Sequence, residues 1–235
     1  MLLDIKKIHC HYGALEAVRG VSMEVAEGSI VGLLGANGSG KSTILRAVSG
    51  LMKPTQGEIW FNGLRIDGMP AHKVVNAGIN HVPEGRQLFP FMTVVDNLRL
   101  GAYSRTDKDG IIEDQERLCE HYPILGKKKN RQACTLSGGE QAQLAIARAL
   151  MAKPKMLLLD EPLQGLSPIV IGEVEEMVLE LNREGMTVMM VEHNVHMALS
   201  MSHKIYILDS GQIMMEGDSE ELSQTEYVQK VYLGK

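Results

Sequence analysis

Eight residues, Gly35-Ala-Asn-Gly-Ser-Gly-Lys-Ser42, carry the clearest chemistry in this chain. They match the pattern G-x-x-x-x-G-K-[ST], in which glycines let the backbone wrap with its N–H groups pointing inward toward a phosphate. Lys41 supplies a mobile cation for the β- and γ-phosphates of a nucleotide, and the Ser42 hydroxyl suits Mg²⁺. The other reading, a glycine-rich turn with a solvated lysine, loses ground because an apolar run, Ser29-Ile-Val-Gly-Leu-Leu34, precedes the loop. A helical pattern of Ile44, Leu45, Ala47, Val48 and Leu51 follows it, as the motif requires.

A second group is Met156-Leu-Leu-Leu-Asp160-Glu161. An apolar run ending in two carboxylates reads as a buried strand delivering acids to the carboxyl edge of an open α/β sheet, where such sheets bind ligands. Asp160 suits coordination of Mg²⁺ directly or through its bound water, and Glu161 is then placed to orient or deprotonate a water attacking the γ-phosphorus. Many strands end in acids, so this pair gains its meaning from the glycine-rich loop.

The elements that must position these groups follow from hydrophobic periodicity. Leu2–Cys10 and Val21–Val25 read as a strand pair feeding the buried strand before the loop, and Gly57–Gly63 as a short strand ending in a turn. From Gln87 to Leu150 the pattern is of mixed helical segments broken by Lys127-Lys-Lys-Asn-Arg131. Short apolar runs then return at 156–159, 187–191 and 204–208, separated by helical stretches Ile169–Arg183 and Val195–Ser202, before a hairpin at Asp209-Ser-Gly211. Strands alternating with helices imply a parallel sheet covered on both faces.

Composition bounds what such a chain does. At 235 residues, 44% hydrophobic and 23% charged, it is an ordinary globular sequence, neither disordered nor a disulfide framework. Its net charge of −5 argues against nucleic acid as a partner, since a sequence-independent binder needs excess cations. Cys10, Cys119 and Cys134 form no C-x-x-C pair, and reduced thiols are the plain reading. No apolar stretch approaches the roughly 20 residues of a spanning helix. The fifteen methionines read as flexible core filling.

Leu136-Ser-Gly-Gly-Glu140, followed by Gln141-Ala-Gln-Leu-Ala-Ile-Ala-Arg-Ala-Leu150, resembles the signature of ATP-binding cassette (ABC) proteins. Ser137 with Glu140 three residues on is also a capping box for a helix whose face carries Leu144, Ala147 and Met151, and an open helix N-terminus with two glycines favours phosphate. The resemblance implies a P-loop NTPase of α/β class: a mainly parallel sheet, N-terminal antiparallel strands and an inserted helical subdomain. Residues 1–86 and 151–235 would form the nucleotide-binding core and 87–150 the helical part.

The same resemblance implies ATP and Mg²⁺ as ligands. Tyr12 corresponds to the residue stacking on adenine; Gly35, Asn37, Gly38, Ser39, Gly40, Lys41, Ser42 and Thr43 to the phosphate loop; Ser42, Asp160 and Glu84 to the metal site; and Glu161 and His193 to the catalytic pair. Ser137, Gly138, Gly139 and Glu140 would contact ATP held by a second cassette. His81, His196 and His203 have no such support. Three positions depart from the commoner pattern. Glu84 replaces a lid glutamine and adds charge beside the phosphates. Ser167 replaces an aspartate and hydrogen-bonds without charge. Glu140 stands for glutamine, and both fit the capping position.

Val82-Pro-Glu-Gly-Arg-Gln-Leu-Phe-Pro90, Met92-Thr-Val-Val-Asp-Asn-Leu98 and Gly165-Leu-Ser-Pro168 are similar to an ATPase subunit of bacterial branched-chain amino acid importers, with urea and amide importers as the alternative. That resemblance implies transmembrane permease subunits, a second ABC ATPase in a hetero- or homodimer, and indirectly a solute-binding protein. The location implied is cytoplasmic, peripheral on the inner face of the cell membrane. It places docking on about Arg86 to Tyr103, where Phe89 and Phe91 flank Pro90; burial in the core is the commoner fate of Phe. A soluble cassette of the translation or repair kind does not fit one phosphate loop and no sustained heptads, whereas one of the iron–sulfur-assembly kind fits on length but less well on the Val82–Pro90 residues, which favour transport. A GTPase would need N-K-x-D, which is missing.

Overall fold

A computed structural model describes residues 1–225 and Val228. β1 (Leu3–Tyr12) and β2 (Leu15–Val25) form an antiparallel pair, joined across β1 by β4 (Gln56–Phe61) and then β5 (Leu64–Arg65). The second sheet has the order β10-β9-β3-β8-β7-β6, drawn from β3 (Ile30–Leu34), β6 (Ile79–Val82), β7 (Met156–Asp160), β8 (Thr187–Glu192), β9 (Lys204–Asp209) and β10 (Gln212–Asp218). All its pairings are parallel except β9 with β10, the hairpin expected at 209–211.

The central strands are buried on both faces, which is why they read as continuous apolar runs. In β7, Leu157 and Leu159 face one core while Met156 and Leu158 face the other. The second core is closed by α1 (Lys41–Val48) and the antiparallel sheet, so α1 lies between the two sheets and carries the glycine-rich loop at its start. Gly40, with φ 108°, caps α1; a Cβ there would lie 2.6 Å from the carbonyl oxygen of Ala17, so only glycine fits.

The first core is closed by helices α3 (Val94–Gly101), α4 (Lys108–His121), α5 (Pro123–Lys127), α6 (Gly138–Leu150) and α7 (Pro168–Arg183). The helical stretch expected at 87–150 is therefore four helices, tied together at their base by a bridge between Thr93 and Gln132. α3 meets α6 closely enough that a Cβ on Gly101 would overlap the carbonyl oxygen of Arg148. α2 (Ala71–Ala77) leads into β6, and α8 (Val195–Met201) with α9 (Ser219–Ser223) packs on the β3–β9 side. Among the described residues no helix is long and apolar enough to cross a membrane.

Because β3, β6, β7 and β8 run in parallel, their carboxyl ends lie along one edge. The glycine-rich loop, the segment Pro83–Gln87, the pair Asp160–Glu161 and the pair Glu192–His193 therefore meet there.

Candidate functional site

The loop between β3 and α1 is closed around its own lysine. Lys41 is 4% exposed, and its Nζ donates to the carbonyl oxygens of Gly35 at 2.8 Å and Ala36 at 2.9 Å. Burial lowers the pKa of this ammonium, and the carboxylates of Glu161 and Asp160 partly offset that effect. An anion seated at the loop would give the cation a better partner than two neutral carbonyls. Ser42 Oγ donates to Asp160 Oδ1 at 3.1 Å. Burial, with Glu161 and Glu84 nearby, pushes the Asp160 carboxyl above its ordinary range, against the Ser42 hydrogen bond. A hydroxyl and a buried carboxylate in contact, with a third oxygen donor available from Glu84, fit a hard dication such as Mg²⁺.

Glu161 follows β7 in the left-handed region, φ 51°, which for a non-glycine residue is strained by about 1–3 kcal/mol. Its N–H donates to Val191 O at 3.0 Å, and this main-chain bond to β8 fixes where its side chain emerges. The side chain is gripped at both oxygens: His193 Nε2 lies 2.5 Å from Oε1, and Gln164 Nε2 donates to Oε2 at 2.8 Å. Glu192, at the end of β8, is 5% exposed and accepts from Leu163 N at 3.3 Å. Burial, reinforced by Glu161 and Glu175, raises its carboxyl to about 7 against the amides of Leu163 and His193.

A cavity of about 410 Å³ is lined by Asn37, Lys41, Ser42, Glu84, Glu161 and His193, with Tyr12 at its edge. Tyr12 is 43% exposed; its hydroxyl accepts from Arg46 Nη1 at 3.2 Å and sits 3.4 Å from Thr43 Oγ1. Its ring is thus open for stacking while its hydroxyl is tied to α1.

Ser137–Glu140 lies apart from this cavity, at the start of α6. Both arms of the expected capping box are present: Ser137 Oγ accepts from Glu140 N, and Glu140 Oε2 accepts from Ser137 N at 2.8 Å. Glu140 Oε1 also meets Lys128 Nζ at 2.6 Å. Burial opposes ionisation of Glu140, but Lys128 and the Ser137 donors outweigh it and hold the carboxyl below its usual range. The glutamate in this signature therefore has a counter-ion from the basic break at 127–131. A Cβ on Gly139 would strike Val170 Cγ1, so the second signature glycine lets α6 approach the start of α7. Ser167 is exposed at the N-cap of α7 and makes no side-chain cap bond.

His81 is enclosed: burial lowers its pKa to about 4, and neither ring nitrogen has a partner. His203 Nδ1 accepts from Ile30 N at 3.0 Å, a structural role. Phe89 is 50% and Phe91 79% exposed, which overturns the commoner expectation that both are core. Phe89 borders a groove of about 520 Å³ with Leu100, Tyr103, His72, His81 and Arg148. Arg86, Gln164 and Glu192 were missed as site residues. Their roles depend on tertiary contacts that no local pattern announces.

The P-loop fold with acids at the strand ends marks a nucleotide-binding class of protein. A family model described as ABC transporter matches residues 18–164. The chain is 42% identical over 233 residues, 99% of it and all of the relative, to the high-affinity branched-chain amino acid transport ATP-binding protein BraG of Pseudomonas aeruginosa. It is 35% identical, over all of its length and 98% of the relative, to the lipopolysaccharide export system ATP-binding protein LptB of Haemophilus influenzae. Among solved structures it is similar to MJ1267, an ATP-binding cassette of an ABC transporter, with TM-score 0.89, 29% identity, and coverage of 98% and 96% of the two chains. The chain belongs to the ABC transporter family, as an ATPase subunit.

Proposed function

We propose that this chain hydrolyses ATP to drive a multi-subunit importer of branched-chain amino acids, bound to the cytoplasmic face of the membrane. The observation that carries the solute class is the 42% identity to BraG along the whole chain. The Val82–Pro90 phrasing supports the same reading. The likeness to LptB makes an export partner the second reading, and urea or amide import is a third.

In this reading the amides of Gly38, Gly40 and Lys41 and the Lys41 ammonium hold the β- and γ-phosphates, Asn37, Ser39 and Thr43 complete the loop, and Tyr12 stacks on the base. Ser42 and Asp160, with Glu84, would hold Mg²⁺, which supplies charge neutralisation on the phosphate oxygens. Glu161 orients a water and takes its proton as the oxygen attacks the γ-phosphorus. With Oε1 held by His193 and Oε2 by Gln164, the Glu161 carboxylate is fixed in orientation while each oxygen keeps a lone pair for that proton. Movement of His193 toward the γ-phosphate would add a donor to the transition state. Ser137–Glu140 completes the site of a second cassette, so hydrolysis requires a pair, taken here as a heterodimer.

The permease is assigned to the groove beside Phe89, Leu100 and Tyr103. The test is to tag the chain in its native host, solubilise membranes gently and identify what co-purifies. Two permeases, a second cassette and an amino-acid-binding protein support the proposal. Lipopolysaccharide-export components, or soluble partners alone, overturn it.

A further inference from the structure

The segment Pro83–Gln87 is unusual in having three consecutive residues in the left-handed region: Gly85 at φ 71°, Arg86 at 66° and Gln87 at 45°. For two non-glycine residues that conformation needs outside support. Arg148, on α6, supplies it by donating Nη1 to Gln87 O at 2.7 Å and Nη2 to Arg86 O at 3.0 Å.

Bent this way, the backbone turns the Arg86 side chain inward. Its Nη1 donates to Gln141 Oε1 at 3.3 Å, on the first turn of α6, and its Nη2 to Gln164 O at 3.2 Å. Gln164 belongs to the loop after Glu161, and its own side-chain amide is the donor to Glu161 Oε2. The guanidinium also lies beside Gly138, where an added Cβ would sit 3.5 Å from Nη1. Burial alone lowers the pKa of Arg86, with no neighbouring charge contributing to the shift.

The surroundings explain why these contacts matter. Arg86, Ala142, Ile146, Asp160, Glu161 and Gln164 line a cavity of about 290 Å³ between Pro83–Gln87, α6 and the acid-bearing loop. Apolar packing does not fill that space, so polar contacts across it set the spacing of the three segments.

We propose that Arg86 is a positioning residue for hydrolysis: by bridging Gln141 of the signature helix and the Gln164 carbonyl, it holds the loop whose Gln164 amide orients Glu161. The proposal rests on Glu161 being the base. It links α6, which must meet a partner's nucleotide, to the proton acceptor of this chain's own site through two side chains. Arg86 touches neither nucleotide nor metal in this account.

The experiment measures kcat, KM for ATP and thermal midpoint in the assembled transporter carrying Arg86→Ala, Arg86→Lys, Gln164→Ala, or Arg86→Ala with Gln164→Ala. Loss of orientation without loss of binding should lower kcat roughly tenfold in Arg86→Ala and leave KM within about twofold. Arg86→Lys, which can reach one acceptor, should recover part of the loss. The double variant should be no slower than the slower single, as expected for residues acting in one chain of contacts. An unchanged kcat, an effect confined to KM, or independent multiplicative losses would each overturn the proposal. Should Arg86→Ala not fold, Arg86→Lys beside Gln164→Ala carries the test: each should lower kcat with KM within about twofold, and unchanged kcat in either overturns the proposal. Glu161→Gln separates the two levels. Near-normal turnover in that variant removes the base, whereas slow turnover beside a normal Arg86→Ala removes only the positioning role.

Discussion

Glu161 and His193 are joined side chain to side chain at 2.5 Å, across the carboxyl ends of two adjacent parallel strands. The contact depends on Glu161 taking a left-handed conformation anchored to Val191. Glu161→Gln keeps the shape and loses the carboxylate that the proposed function makes the proton acceptor. ATP binding should persist, while hydrolysis at this chain's own site should slow by roughly 10²–10⁴-fold, the usual contribution of a positioned base. Single-turnover phosphate release checks this, and near-normal release would remove Glu161 from the role.

Glu192 gives a dependence on pH. Its carboxyl is raised to about 7 in the fold by burial, with Glu161 and Glu175 adding and the amides of Leu163 and His193 opposing. Between the ordinary carboxylate pKa and about 7, the folded chain holds a proton that the unfolded chain has released, so stability falls as pH rises through that window and then levels off. Glu192→Gln removes the ionisation and keeps an acceptor for Leu163. It should therefore gain stability over the parent at pH 8 relative to pH 5 by on the order of 2–3 kcal/mol. Urea unfolding at both values is the check; parallel shifts would contradict the burial argument.

Phe89 is predicted to act on transport and not on folding. Its ring is half exposed beside the groove, while its main chain is held by Asn97, whose Oδ1 accepts from Phe89 N and whose Nδ2 donates to Phe89 O. Phe89→Ala should leave the thermal midpoint within a few degrees and basal hydrolysis intact, yet lower solute uptake at a given rate of hydrolysis. A large fall in thermal midpoint would return Phe89 to a packing role.

Much of the fold was legible because its signals are local. The continuous apolar run of β7, the capping box of Ser137 and Glu140, and the glycine-rich loop between strand and helix are each contained in a few neighbouring residues. β6 and α2 were not anticipated. β6 is only four residues with Asn80 and His81 at its centre, and its place at the sheet edge comes from pairing with β7 across more than 70 residues. In the site, residue types announced Lys41, Ser42, Asp160 and Glu161. Arg86, Gln164 and Glu192 matter through long-range contacts and, for Arg86, a backbone conformation unusual in a non-glycine residue. The exposure of Phe89 and Phe91 likewise follows a segment held by Asn97 at Phe89 and by Arg148 at Arg86 and Gln87, contacts that no periodicity records.

In the proposed function, the loop closed around Lys41 seats a nucleotide's phosphates. Titration calorimetry of the 235-residue chain with Mg-ATP, for the parent and Lys41→Ala, tests it most directly because binding by one chain needs no partner. One ATP per parent chain is expected, with affinity at least roughly tenfold weaker in Lys41→Ala, as for loss of a charge-assisted contact of about 1.5–3 kcal/mol. Equal affinity in the two proteins, or no binding by the parent, would contradict the account.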